Sequence, residues 1–206
     1  MRRAKRVVVW GLKEPAVLRF DGESTVESMG PRDRAFVHGF ATGLGQMPRL
    51  DFARRLWSGR LAEFLGPKPL GSMDAYRLDV AVRGLGFRRR AERLFRTLSE
   101  ETKRDADSWA AGVNAWIDQR EVPLSPTYKA LQTGPRLVGA ADALLVQLAP
   151  LEVDRTAPGA IGAIGAIWDL LSGPALRAPG SVGDVDSRLL PRFDLNPAPS
   201  GAPSIT

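Results

Sequence analysis

The chain has 206 residues, 44% of them hydrophobic and 25% charged, which fits one globular unit with its own core rather than a disordered or fibrous chain. Lysine and arginine outnumber aspartate and glutamate by 29 to 23, and the net charge of +6 keeps an anionic partner such as nucleic acid in view. There is no cysteine, which excludes disulfides, thiolate nucleophiles and thiolate metal ligands.

The opening MRRAKRVVVWGLKEP is basic but holds only about six apolar residues, fewer than the ~7–15 of a secretory core. No run approaches the ~18–20 apolar residues of a membrane span. The compartment stays open between cytoplasm and periplasm. Residues 6–20 are rich in β-branched side chains and predict one or two strands interrupted by Pro15. Asp21-Gly22 then signals a turn.

From Pro31 the pattern turns helical, with Ala35, Phe36, Phe40 and Leu44 on one side. The next stretch, MPRLDFARRLWSGRLAEFLG, carries an apolar stripe of Leu50, Ala53, Trp57, Leu61 and Phe64 and is expected to stop at Gly66-Pro67. Asp51 and Arg55 are spaced to pair on its exposed face. Residues 74–98 continue the helical run. Ser99, followed by Glu100 and Glu101, is a helix N-cap with an acidic first turn. In the helix it opens, Trp109, Val113, Trp116 and Ile117 form an apolar face. Gly112 sits among them at a cost of ~1 kcal/mol relative to alanine, which implies close approach of another element. After a loop punctuated by Pro123, Pro126 and Pro135, residues 139–151 form a short apolar helix. The stretch 156–206 is Gly/Pro/Ala-rich: PGAIGAIGAIWDLL can pack as a helix, and DLNPAPSGAPSIT has the composition of a loose end.

No catalytic constellation is visible. His38, the lone histidine, stands between Phe36 and Phe40 and fits a packed side chain better than a base, and no zinc-ligand spacing surrounds it. GFATGLG lacks the Lys-Ser/Thr of a phosphate loop and fits helix packing. In the cluster Arg88, Arg89, Arg90, Arg93 and Arg96, three members (Arg89, Arg93, Arg96) share a helical face that could track phosphates. No aromatic residues interleave to stack bases, so a solvated or partner-facing surface is the simpler expectation. Asp154 and Arg155 follow the apolar helix just past Pro150. They are either a surface ion pair or, through Arg155, the polar end of a pocket that holds a carboxylate.

Three long segments, residues 39–66, 83–118 and 122–148, together resemble the α subunit of the penicillin acylase family of N-terminal-nucleophile hydrolases. SGRLAEFLG and AAGVNAWI are the most specific parts, and the likeness spans roughly residues 16–155. The chain departs from the family pattern at GESTVES and at TGLGQMPRL, so it is a divergent member. The resemblance implies a mostly α fold with a small N-terminal β portion, the α-subunit part of a four-layer αββα fold completed by a separate β chain. It implies one precursor that cuts itself in two, with the nucleophilic serine and the oxyanion donors on the β chain. Nothing in residues 1–206 is then expected to be catalytic. The implied organisation is an α-subunit core at 1–155, a helical segment packing on the partner at 156–190, and a tail near the processing site at 191–206.

Aligned on Asp142, the family's acyl-pocket positions fall at Leu151 and Arg155, the substrate-binding residues expected here. A guanidinium at Arg155 would favour an N-acyl group ending in carboxylate, such as succinyl or glutaryl. TAPGAIGAI offers no carboxylate where many members place a calcium-binding glutamate, so neither a metal nor a cofactor is expected from this chain. Trp57, Trp109, Trp116, Trp168 and segment 159–167 are generous apolar surface for a lone chain, which implies a large obligate interface. The rival readings are a stand-alone nucleic-acid binder using Arg88–Arg96 and an inactive scaffold.

Overall fold

A computed structural model of the chain describes residues 5–9, 12, 16–20, 31–66, 69–70, 73–119, 128–129 and 131–156. The expectations for residues 121–127 and 157–206, Trp168 among them, lie outside the described residues. Strands β1 (Lys5–Val9) and β2 (Ala16–Phe20) pair antiparallel, with Val7 opposite Leu18. They are followed by α1 (Pro31–Ser58), α2 (Ala62–Leu65) and a minimal antiparallel pair, β3 (Pro69–Leu70) with β4 (Met73–Asp74). Then follow α3 (Ala75–Leu85), α4 (Phe87–Thr97), α5 (Glu100–Gln119) and α6 (Ala140–Thr156). No helix among the described residues is long and apolar enough to cross a membrane.

Helix α1 is the spine, and its fullest packing is against α5. The two can approach because glycines face each other's backbone. A Cβ on Gly39 would stand 1.9 Å from the Trp109 carbonyl oxygen, and one on Gly112 the same distance from that of Phe36. One turn along, Trp116 lies over Gly43, where a Cβ would meet its ring at 2.9 Å. The close approach expected from Gly112 is thus present, and α1 is the element that approaches. Trp109 and Val113 are fully buried at this crossing.

Where the sequence pattern shows two successive helical stretches, a single helix runs through Pro48. A proline inside a helix costs roughly 3 kcal/mol. Here Val37, Phe40 and Ala41 before it and Met47, Leu50, Phe52 and Ala53 around and after it are all buried, so packing on both sides outweighs the missing hydrogen bond. Asp51 and Arg55 do pair, at 3.6 Å, but both are buried rather than exposed as expected. The helix ends at Gly59, with φ +67, a conformation glycine adopts without strain. There the carboxylate of Asp79, from α3, accepts hydrogen bonds from Leu61 N (2.6 Å) and Ala62 N (2.9 Å), satisfying the first amides of α2.

Gly86, at φ +71, separates α3 from α4, where the sequence pattern ran on as one helix. Ser99 caps α5 as expected, its Oγ accepting from Thr102 N at 3.2 Å. Trp57 and Trp109 are buried within the chain itself, at 3% and 0% exposure, so neither awaits a partner surface as the sequence suggested. Trp57 meets Phe87 edge-on at 5.8 Å, joining α1 to α4.

Two outcomes are expected. Gly112→Ala forces α1 and α5 apart and lowers the unfolding free energy in urea by about 3 kcal/mol, at the upper end of the usual cost of overpacking. His38 is half-buried, and burial first, then the Arg34 charge, lower its pKa below 6.5. In that window the unfolded chain binds the proton that the folded chain refuses. The stability from neutral His38 is therefore complete above the unfolded value and is lost as pH falls toward the folded one. His38→Gln should flatten the decline in unfolding free energy when the protein is acidified from pH 7 through this window.

Candidate functional site: a groove between two helices

The site begins with the placement of α6. Its entry segment is clamped twice. The Asn114 side chain of α5 donates to Val138 O (3.0 Å) and accepts from Val138 N (2.8 Å), pairing with that backbone as a neighbouring strand would. Arg54 of α1 donates to the carbonyls of Arg136 and Leu137, both at 2.7 Å, and through Nε to Asp51 Oδ1 at 2.6 Å. Asp51 also accepts from the buried hydroxyl of Tyr128 at 2.8 Å. Burial foremost, then the Asp51 charge, holds that phenol protonated far above its ordinary range.

Asp142, buried in the first turn of α6, completes the clamp. Its carboxylate accepts from Gly139 N at 2.9 Å, the side-chain-to-cap bond typical of a helix start. It also meets Arg54 Nη1 at 3.4 Å and forms an ion pair with Arg88 of α4. Arg88 pairs with Glu92 too, at 2.6 Å. Burial works against the Arg88 charge, but Asp142 and Glu92 outweigh it and raise its pKa. One carboxylate therefore fixes α6 against both α1 and α4.

Helices α4 and α6, held side by side in this way, leave a groove of about 480 Å³ between them. From α4 it is lined by Phe87, Arg90, Ala91 and Leu94. The α6 wall comprises Leu145, Leu148 and Ala149, then Leu151, Glu152 and Arg155. Volume and lining, mostly apolar with a few convergent charges, are those of a small-molecule site. The expected residues Leu151 and Arg155 both line it, one helical turn apart. The helix continues through Pro150 to Thr156, so Arg155 lies in its last turn rather than past its end as the sequence suggested. Leu144, Leu145, Val146 and Ala149 on one side of Pro150 and Val153 on the other are buried, which again offsets the proline.

The two guanidiniums of the groove differ. Arg90 stacks 4.9 Å over the Phe87 ring, donates to Leu85 O at 2.9 Å and forms an ion pair with Glu152. Arg155 is exposed and has neither an ion pair nor a hydrogen bond among the described residues. The surface pair with Asp154 that the sequence allowed is not formed. The α4 wall was missed in the sequence, where this stretch stood out only for its charge. Yet Phe87, Ala91 and Leu94 recur at helical spacing between the arginines, and that was the available signal. The arginine cluster itself divides: Arg88 and Arg90 are tied to carboxylates, whereas Arg89, Arg93 and Arg96 are exposed on one face. Among the described residues, no group of three or more His, Asp or Glu side chains is placed to hold a metal ion.

The described chain is mostly helical, with an apolar groove between two of its helices. Residues 24–152 match the penicillin amidase family, and the chain belongs to it. It is 27% identical over 125 residues to the acyl-homoserine lactone acylase QuiP of Pseudomonas fluorescens, covering 61% of this chain and 15% of that protein. It is 30% identical over 109 residues to the penicillin acylase 2 proenzyme of Pseudomonas sp. strain SE83, covering 52% of this chain and 13% of that protein. The chain thus spans only a small part of the length of these relatives. Among solved structures, thermostable penicillin G acylase from Alcaligenes faecalis aligns with a TM-score of 0.51 at 20% identity, over 87% of this chain and 97% of that one. At that identity the likeness speaks for a shared, mostly helical fold.

The clamp makes a prediction. Asp142→Ala removes the carboxylate that Arg54 and Arg88 share, but Arg54 keeps Asp51 and the partly exposed Arg88 keeps Glu92, so it should cost about 1–3 kcal/mol in equilibrium unfolding.

Proposed function

We infer that this chain is the small, α part of a two-chain amidohydrolase that cleaves the amide bond of N-acyl compounds, with the groove between α4 and α6 forming one wall of the acyl pocket. Membership of the penicillin amidase family supports the reaction class. The relative named as a proenzyme, and the likeness to a penicillin G acylase chain that this chain covers over 97% of its length, support a precursor cut into two chains. The second chain would complete a four-layer αββα fold and begin with the nucleophilic serine.

The reaction divides between the chains. The serine hydroxyl of the β chain attacks the acyl carbonyl while its own α-amino group takes the proton. The C–N bond breaks, the amine leaves with that proton, and water then releases the acid from the serine ester. Oxyanion donors belong to the β chain as well. The α chain contributes binding. Leu151 and Arg155 stand together on the rim of an apolar groove, and the guanidinium of Arg155, without a partner among the described residues, suits an acyl group that ends in carboxylate. That pairing of an apolar groove with an arginine unneutralised among the described residues is the observation on which the substrate reading rests.

Intact mass under denaturing conditions, on protein purified from the complete gene, tests the architecture. A larger co-purifying chain that begins with serine is the expected result, and a single uncut species would return the chain to the scaffold or binder readings. With the two-chain enzyme in hand, succinyl and glutaryl amides should be cleaved faster than phenylacetyl amides, and Arg155→Ala should reduce that preference by roughly tenfold or more, the value of a charge-assisted hydrogen bond. Preference for phenylacetyl amides, unchanged by Arg155→Ala, would sink the carboxylate assignment.

A further inference from the structure

We propose, on the reading of the groove as an acyl site, that its substrates are long ω-carboxyacyl amides, in which an extended alkyl chain lies along the groove and a terminal carboxylate meets Arg155. The groove offers more than a guanidinium. About 480 Å³ of space is floored by the buried Ala91, Leu145 and Ala149, and its open apolar surface comes from half-buried Leu94 and Leu148 and exposed Leu151. A succinyl or glutaryl group has only two or three methylenes to set against that wall. Most of the open surface of Leu94, Leu148 and Leu151 would stay wet, and its burial would contribute nothing to binding.

The charges narrow the choice from the other direction. Arg90 is committed to Glu152, to the Leu85 carbonyl and to the face of Phe87, so it presents no unneutralised charge. Phe87 is itself backed edge-on by Trp57, which holds this end of the groove rigid. Arg155 remains as the groove's one guanidinium without a partner among the described residues. A plain fatty acyl chain would cover the leucines but offer Arg155 no acceptor, leaving the charge-assisted hydrogen bond unmade. A short diacid satisfies Arg155 and leaves the apolar wall exposed. A long chain with an anionic end satisfies both.

The test uses the two-chain enzyme from the complete gene and two series of acyl p-nitroanilides, one ending in carboxylate and one in methyl, each from four to twelve carbons. In the carboxylate series, kcat/KM should rise about fourfold per added methylene, the equivalent of ~0.8 kcal/mol each, until the groove is full. At equal length the carboxylate-ended substrate should be preferred by about tenfold or more. Arg155→Ala should abolish that preference and keep the chain-length slope. Leu148→Trp should move the optimum to shorter chains, with circular dichroism to show that the variant is folded and Leu148→Ala as the second variant, expected to reduce the slope.

A flat or falling series with succinyl best overturns the proposal. So does a methyl-ended series that rises as steeply with no carboxylate preference, which would assign the groove to a plain fatty acyl chain. Rising activity that neither Leu148 variant alters would show the groove to be filled by another part of the polypeptide, and overturns it too. Failure to hydrolyse any acyl amide in either series would instead defeat the hydrolase reading beneath it.

Discussion

The placement of α6 depends on one buried carboxylate. Asp142 closes the first turn of its own helix through Gly139 N while it meets Arg54 from α1 and Arg88 from α4. Buried ion pairs gain little net stability over well-packed apolar groups, because desolvation consumes most of the Coulombic gain. What this one contributes is position. A hydrophobic contact lets helices slide and rotate at low cost, whereas a carboxylate satisfied by three donors on three segments admits one arrangement. The groove follows from that: its width is the separation that Asp142 and Arg88 impose on α4 and α6.

A second constraint, purely steric, stands behind the first. The reciprocal contacts of Gly39 and Gly112 with opposing carbonyls set α5 directly on α1. This in turn brings Asn114 to the Val138 backbone. The motif AAGVNAWI can therefore be taken residue by residue. Gly112 makes room for the α1 backbone, Val113 fills the core, Asn114 holds the entry to α6, and Trp116 covers Gly43. Each residue type is the one its neighbour requires.

Local chemistry with a fixed spacing was legible in the sequence: the Ser99 cap, the close approach at Gly112, and the apolar stripes of α1 and α5. So was the kinship, because segments such as SGRLAEFLG carry non-local requirements in a local string. Asp79 capping α2 next to Gly59 is one such requirement. Features set by tertiary packing were not legible. The single helix through Pro48 and the run of α6 beyond 151 to Thr156 were among them, because the burial that sustains both comes from other helices. Asp51 and Arg55 read as an exposed pair because spacing along a helix does not say which side faces the core. Leu151 and Arg155 could be named from kinship alone, but the opposite wall of the groove could not. It arises only when α4 is laid beside α6.

The manner in which Arg54 and Asn114 grip the chain before α6 has an evolutionary side. Both bind main-chain atoms of residues 136–138, and the side chains of Arg136 and Leu137 point outward, the latter 66% exposed. The hold is blind to what those side chains are. This segment can accumulate substitutions, charge reversals included, while its main-chain grip on the helix behind it is kept. Variation there is free to adapt the outer surface to whatever polypeptide lies against it, and the geometry of the groove is insulated from that drift.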